Sequence, residues 1–180
     1  RHYTTHPEDL WDAITNPHRI VRWFLPITGD LKQNGHYKFE GHAGGKIIDC
    51  VAPKKMELTW EYGDNVSWIR INLQAEGDGT RLTLEHLMPK DAQAEDHWKS
   101  YGPGATGVGW ELAFLALDYH LSNNATIDPE ENEAWLVSDR GKQFVRECAK
   151  QWGEAHIASG EASDTALTMA QMTAKFYTGE

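Results

Sequence analysis

"KMELTWEYGDNVSWIRINLQAEGDGTRLTLEHLM", Lys55 to Met88, alternates apolar and polar residues through three runs separated by two short turns. Met56, Leu58, Trp60 and Tyr62 alternate with Lys55, Glu57, Thr59 and Glu61; beyond Gly63-Asp64-Asn65, the same period carries Ile69, Ile71, Leu73 and Ala75 against Arg70, Asn72 and Gln74. Beyond Glu76–Thr80 it carries Leu82, Leu84, His86 and Met88 against Arg81, Thr83 and Glu85. A period of two places alternate side chains on opposite faces of a strand. Turn-sized connections join antiparallel neighbours, so the stretch is a meander with one apolar face. Such a face must be covered.

Upstream, Tyr37 and Phe39 alternate with His36, Lys38 and Glu40 until "GHAGG", Gly41 to Gly45, supplies a flexible reversal. "KIIDCVA" is a further strand, but its adjacent Ile47 and Ile48 leave its facing open. "RHYTT" at the start has the pattern of a strand's tail, which implies that the first strand is truncated. His6-Pro7-Glu8-Asp9 then opens a helix, with acidic residues in its first turn and Leu10, Ala13 and Ile14 inward. Asn16-Pro17 gives an N-cap and first helical position, and Pro26 ends what can follow. Between these marks Ile20, Trp23 and Phe24 form an i, i+3, i+4 stripe, which predicts a two-turn helix packed against a larger element.

Downstream, "VGWELAFLALDYHL", Val108 to Leu121, is the helix expected to cover the sheet, with stripes through Val108, Leu112, Leu115 and Tyr119 and through Trp110, Phe114, Leu117 and Leu121. The polar, glycine-rich bridge before it predicts a helix start near Asp91 and a mobile stretch from Tyr101 to Gly107. Asp128-Pro129-Glu130-Glu131 starts an all-helical section. Its inner stripes are Phe144, Val145, Cys148 and Trp152, then Leu167, Ala170, Ala174 and Tyr177 after a cap-like Ser163-Asp164.

The chain of 180 residues is 40% hydrophobic and has no apolar run of the ~20 residues that span a bilayer. Its net charge of −10 disfavours nucleic acid and anionic membranes as partners. Cys50 and Cys148 lie in strand and helix patterns and are expected as buried thiols of a reducing cytoplasm rather than as a disulfide.

In order along the chain, "DAITNPHRIVRWFLP", "DLKQNGHYKFEGH", "APKKMELTWEY", "GDGTRLTLEH" and "GVGWELAFLALDYHL" resemble the signatures of the family named for homology to the activator of the heat-shock protein 90 ATPase. That family lies within the START-like (SRPBCC) superfamily. The resemblance runs from about Tyr3 to Leu121. It implies an α+β helix-grip fold, a curved antiparallel sheet wrapped on a long helix. The division expected is a helix-grip domain over 1–122 and a helical extension over 123–180, packed on that domain or on a partner chain. Where the family commonly has a glycine before Gly35 this chain has Asn34, the residue best suited among non-glycines to a left-handed backbone.

No His-Glu-x-x-His, Cys-x-x-Cys or carboxylate–histidine spacing is present among the nine histidines, so no metal is expected. No Gly-x-Ser-x-Gly elbow or phosphate loop appears either, and no cofactor is expected. His86 shares a face with Leu82 and Leu84, where an imidazole needs a partner; it is either a satisfied edge histidine or a polar anchor for a ligand. Asp49, if it faces inward, and Tyr62 would be its companions. Trp23, Phe24, Phe39, Trp60, Leu84, Trp110 and Phe114 are the expected apolar lining of a ligand site between sheet and long helix, with His86 as the polar contact. The first function implied is a non-enzymatic cytoplasmic binding protein for a small, largely apolar molecule. A stress-related co-chaperone with a chaperone partner is the alternative from the resemblance, and a cyclase-like enzyme a further one. A homodimer through the last helices is compatible with each.

Overall fold

In the computed structural model, which describes residues 1–180, the chain divides into a sheet unit, Arg1–Pro89 with Ala116–Thr126, and a helical unit, Lys90–Leu115 with Ile127–Glu180. The sheet unit holds β1 (His2–Tyr3), β2 (Ile27–Gly29), β3 (His36–Phe39), β4 (Gly44–Val51), β5 (Lys55–Tyr62), β6 (Asn65–Glu76) and β7 (Gly79–Leu87). Its helices α1 (Pro7–Thr15) and α2 (Pro17–Ile20) connect β1 to β2. Every pairing is antiparallel, in the spatial order β1-β7-β6-β5-β4-β3-β2. The architecture is α+β, with the curved sheet of the helix-grip fold.

Register explains the two faces. Ile47, Leu58, Ile69 and His86 form one rung across β4 to β7, with Leu58 and Ile69 buried. On the opposite face Glu57 lies across from Arg70, which lies across from Glu85, and Arg70 Nε approaches the Glu57 carboxylate at 3.4 Å. The adjacent isoleucines are resolved by a β-bulge: Ile47 pairs Leu58 and Asp49 pairs Glu57, so Ile48 is the extra residue and turns outward.

The short helix of the Asn16–Pro26 stretch ends at Ile20, one turn rather than the expected two. The Asn16 amide oxygen caps it by accepting from the His18 N–H at 3.0 Å, and Pro17 fills the first position. Val21 to Phe24 continue as a turn in which the Trp23 and Phe24 N–H groups both donate to the Ile20 carbonyl. Pro26 has no N–H to continue the ladder and disfavours helical backbone at Leu25, so the bonding stops with the Phe24 N–H. Asn34 has φ +66°, so the left-handed turn is kept; a Cβ on Gly35 would lie 1.8 Å from the Asp30 carbonyl oxygen.

The helical unit comprises α3 (Ala92–Tyr101), the first part of α4 (Gly104–Asn123), α5 (Pro129–Val137), α6 (Asp139–Ala158) and α7 (Ser163–Thr178). The residues of α4 from Ala116 on belong to the sheet unit. Asp91 caps α3 and Asp128 caps α5, each carboxylate accepting backbone N–H bonds. The unit's core centres on Val108, Val145, Cys148 and Ala149, with Phe144 and Trp152 packed against them.

Three expectations change here. Gly104 to Gly107, expected as part of a mobile stretch, is helical. Its glycines serve close packing: a Cβ on Gly107 would lie 2.2 Å from the Trp152 indole and one on Gly104 2.8 Å from the Thr173 hydroxyl. In α7 Ala170 is buried and Ala174 and Tyr177 pack against the unit's core as expected, but Leu167 is exposed, and Ala166, Met169 and Thr173 complete the inner face. The residue before α7 is Ala162, with no side-chain cap, and Ser163 lies inside the helix.

Both cysteines are free thiols, Cys148 buried and Cys50 half-buried. No helix is long and apolar enough to cross a membrane.

Candidate functional site

The turn after α2 delivers Trp23 and Phe24 to the sheet. The Trp23 indole N–H donates to the Ala13 carbonyl of α1 at 3.0 Å, which fixes the ring's polar edge and leaves its apolar area for contact. From there a run of rings crosses the sheet unit. Trp23 meets Phe24 (centroids 5.6 Å apart), Phe24 meets Phe39 edge to face (5.0 Å), Phe39 meets Trp60 (5.9 Å) and Trp60 meets His86 (6.4 Å). Each such aromatic pair contributes about 0.5–1.5 kcal/mol beyond its area. Phe39 is buried, whereas Trp23, Phe24, Trp60 and His86 are only half-buried.

Leu84 lies two residues from His86 on the same face, across from Ile71. Trp110 and Phe114 lie on the part of α4 that belongs to the helical unit, tilted against each other with centroids 6.2 Å apart. Of the eight residues singled out from the sequence, six therefore share the sheet unit, and five of those six form the linked run of rings.

His86 has a partner. Its Nε2 lies 2.8 Å from Ser67 Oγ, and that hydroxyl donates to the Trp60 carbonyl at 3.0 Å. The Ser67 hydroxyl thus bridges the Trp60 main chain and the His86 imidazole. Burial pushes the pKa of His86 down to about 4. With its pKa so low the imidazole is a weak proton acceptor at neutral pH. The phase of β6 puts Ser67 on the face of Ile69 and Ile71, which is the sequence signal for it.

Asp49 does not accompany His86. The bulge at Ile48 places it opposite Glu57, where it accepts from Lys55 Nζ at 2.7 Å; that hydrogen bond holds its carboxyl below the usual range. Tyr62 stands mostly in solvent, 58% exposed, at the edge of the run.

His42, in the glycine-rich reversal between β3 and β4, was not among the expected site residues. Its ring lies 5.6 Å from Trp60, 5.7 Å from Tyr62 and 6.2 Å from Phe24. Its Nδ1 is enclosed and has no hydrogen-bond partner. An enclosed polar atom left unsatisfied costs about 1–3 kcal/mol. Burial and the charge of Lys38 both hold its pKa below the ordinary value of 6.5. Sequence reasoning passed over it because glycines on both sides mark a loop, and a loop gives no facing.

A second polar cluster ties α1 and α2 to the end of α4. His120 is fully buried; its Nδ1 contacts the Ala125 carbonyl at 2.7 Å and its Nε2 receives the Arg19 Nε–H at 3.4 Å. Arg19 also pairs with Asp9 at 2.5 Å and with Asp12 at 3.3 Å. These groups bond to one another, with the Asp9 and Asp12 carboxylates about half exposed.

The family model for Activator of Hsp90 ATPase homolog 1-like protein (AHSA1) matches residues 4–122. The chain belongs to this family. Among solved structures the AHSA1 chain is similar to CalU16 from Micromonospora echinospora, 30% identical in both its crystal and its solution structure. The crystal structure matches over 86% of this chain and 83% of that one with a TM-score of 0.64, and the solution structure over 89% and 85% with 0.71. Those matches reach beyond residue 122 into the helical section. An Aha1 dimer from Colwellia psychrerythraea shares the fold at 12% identity, covering 68% of this chain and 92% of that one with a TM-score of 0.52. No curated protein matches the chain in sequence.

Proposed function

We propose that this AHSA1-family chain is a non-enzymatic cytoplasmic binding protein for a small, largely apolar molecule held against the aromatic face of the sheet unit. The observation that carries this reading is the run from Trp23 through Phe24, Phe39 and Trp60 to His86, most of whose rings keep part of their surface exposed. A core built for stability alone gains by sinking such rings fully, at ~25 cal/mol per Å² of apolar surface. Half-buried rings with a few polar groups among them are the usual composition of a small-molecule site. Leu84 adds an aliphatic patch beside His86 on the same face of the sheet unit. The neutral, already bonded His86 argues against the cyclase-like alternative, because its proton-accepting capacity at pH 7 is weak.

The decisive experiment is mass spectrometry of the chain purified from its own host, first native and then denatured. A stoichiometric small apolar molecule released on denaturation is the expected result. Finding none would overturn the reading. The family's name then favours a stress-related co-chaperone, tested by adding the chain at micromolar concentration to a heat-shock protein 90 chaperone and measuring its ATP hydrolysis.

A further inference from the structure

We propose that His42 selects what the aromatic face binds, and that the ligand class is an uncharged aromatic compound bearing a hydroxyl group that bonds to His42 Nδ1. The proposal rests on the small-molecule reading of this face and goes further by naming the ligand's chemistry.

The placement of the residue leads to it. The His42 main chain is already satisfied: its N–H donates to the Phe39 carbonyl at 3.2 Å and its carbonyl accepts from Lys38 Nζ. Only the side-chain Nδ1 is enclosed without a partner, and it sits in a ring that touches Phe24, Trp60 and Tyr62. Two of those neighbours are half-buried, while Tyr62 is 58% exposed and is the ring that can swing aside to admit a molecule. The flat sides of the surrounding rings suit a flat apolar body.

Three kinds of polar group on that body can be compared. A hydroxyl both donates and accepts, so it satisfies Nδ1 whether the neutral imidazole carries its proton there or on Nε2. A carboxylate only accepts, and its charge would be stripped of water among three rings. A bare hydrocarbon leaves Nδ1 as it is. The hydroxyl is the one match.

The test uses the full chain and three probes of one shape, 2-naphthol, naphthalene and 2-naphthoate, titrated at pH 7 by calorimetry. 2-Naphthol is expected to bind about tenfold more tightly than naphthalene, the value of one net hydrogen bond, and 2-naphthoate most weakly. His42→Phe keeps a ring and removes both nitrogens, so it should erase the preference for 2-naphthol and leave naphthalene binding nearly unchanged. His42→Gln, which retains a donor and an acceptor, should keep part of the preference and covers the case in which the Phe variant fails to fold. Equal binding of 2-naphthol and naphthalene, or a preference that survives in His42→Phe, would overturn the role of His42 while the binding face stands. If the wild-type chain binds no probe, the binding face falls and His42's role falls with it.

Discussion

Trp60 in the sheet unit and Trp152 in the helical unit are both half-buried indoles, yet their surroundings differ in kind. Trp152 is pressed against main chain, since a Cβ on Gly107 would lie 2.2 Å from its ring. Trp60 has rings for neighbours, with Phe39, His42 and His86 centred 5.6–6.4 Å from it. A ring seated on a glycine cannot move without opening the helix pair. Rings meeting edge to face or at a tilt can exchange one neighbour for another flat group by rotating a side chain. The helical unit is thus packed for rigidity, whereas the aromatic face of the sheet unit is held by contacts between side-chain rings.

The largest test of that contrast is Gly107→Ala. Alanine gains up to about 1 kcal/mol in helix propensity, but the overlap with a rigid indole outweighs it, for a net loss of about 2 kcal/mol. Thermal unfolding should show a Tm lower by about 4–8 °C. An unchanged Tm would mean that Trp152 can yield, and the contrast between the units would fail.

The next effect is in the sheet unit and depends on pH. The folded pKa of His86 is lowered from 6.5 to about 4, so the unfolded chain binds the proton more readily throughout that window. Stability is therefore complete above pH 6.5 and is lost as pH falls towards 4. For a ring still partly in contact with solvent the loss is on the order of 1 kcal/mol. His42 shifts in the same direction, so the readout is the difference between wild type and His86→Phe in urea unfolding at pH 7 and pH 4.5. The variant should lose less on acidification. Parallel losses would show that His86 titrates as freely as an exposed imidazole.

The smallest effect sharpens the first. Gly109 lies two residues from Gly107 on α4, but its Cβ would meet only the Tyr177 hydroxyl, at 3.0 Å. The hydroxyl is held by its bond to the Ala105 carbonyl at 2.6 Å and must give by only a few tenths of an ångström, so Gly109→Ala should cost less than Gly107→Ala, about 0.5–1 kcal/mol. A loss as large as that of Gly107→Ala would extend the close-packed surface along the helix.

These residues also mark the limits of what periodicity can tell. Gly104, Gly107 and Gly109 carry the composition of a loop, and the sequence reading placed a mobile stretch up to Gly107. Their packing partners are distant: Gly107 lies against Trp152 on α6, forty-five residues on, and Gly104 and Gly109 against Thr173 and Tyr177 on α7, none of which a local window contains. His42 escaped notice for the related reason that a loop has no phase. His86 was found because β7 has one, and Ser67 lay open to the same reasoning, two residues before Ile69.

By itself the sequence determined the meander: alternation over Lys55–Met88 fixes which residues share a face, because a strand's side-chain period is two whatever it packs against. It determined the caps at Asn16, Asp91 and Asp128 as well, since capping is settled within a few residues of backbone. Tertiary structure alone decided that Ile47 turns in and Ile48 out, that Asp49 joins Lys55 instead of His86, and that His42 enters the aromatic run. Those outcomes turn on a bulge, an ion pair and a loop, where the competing arrangements are locally close in energy and only contacts distant in sequence choose between them.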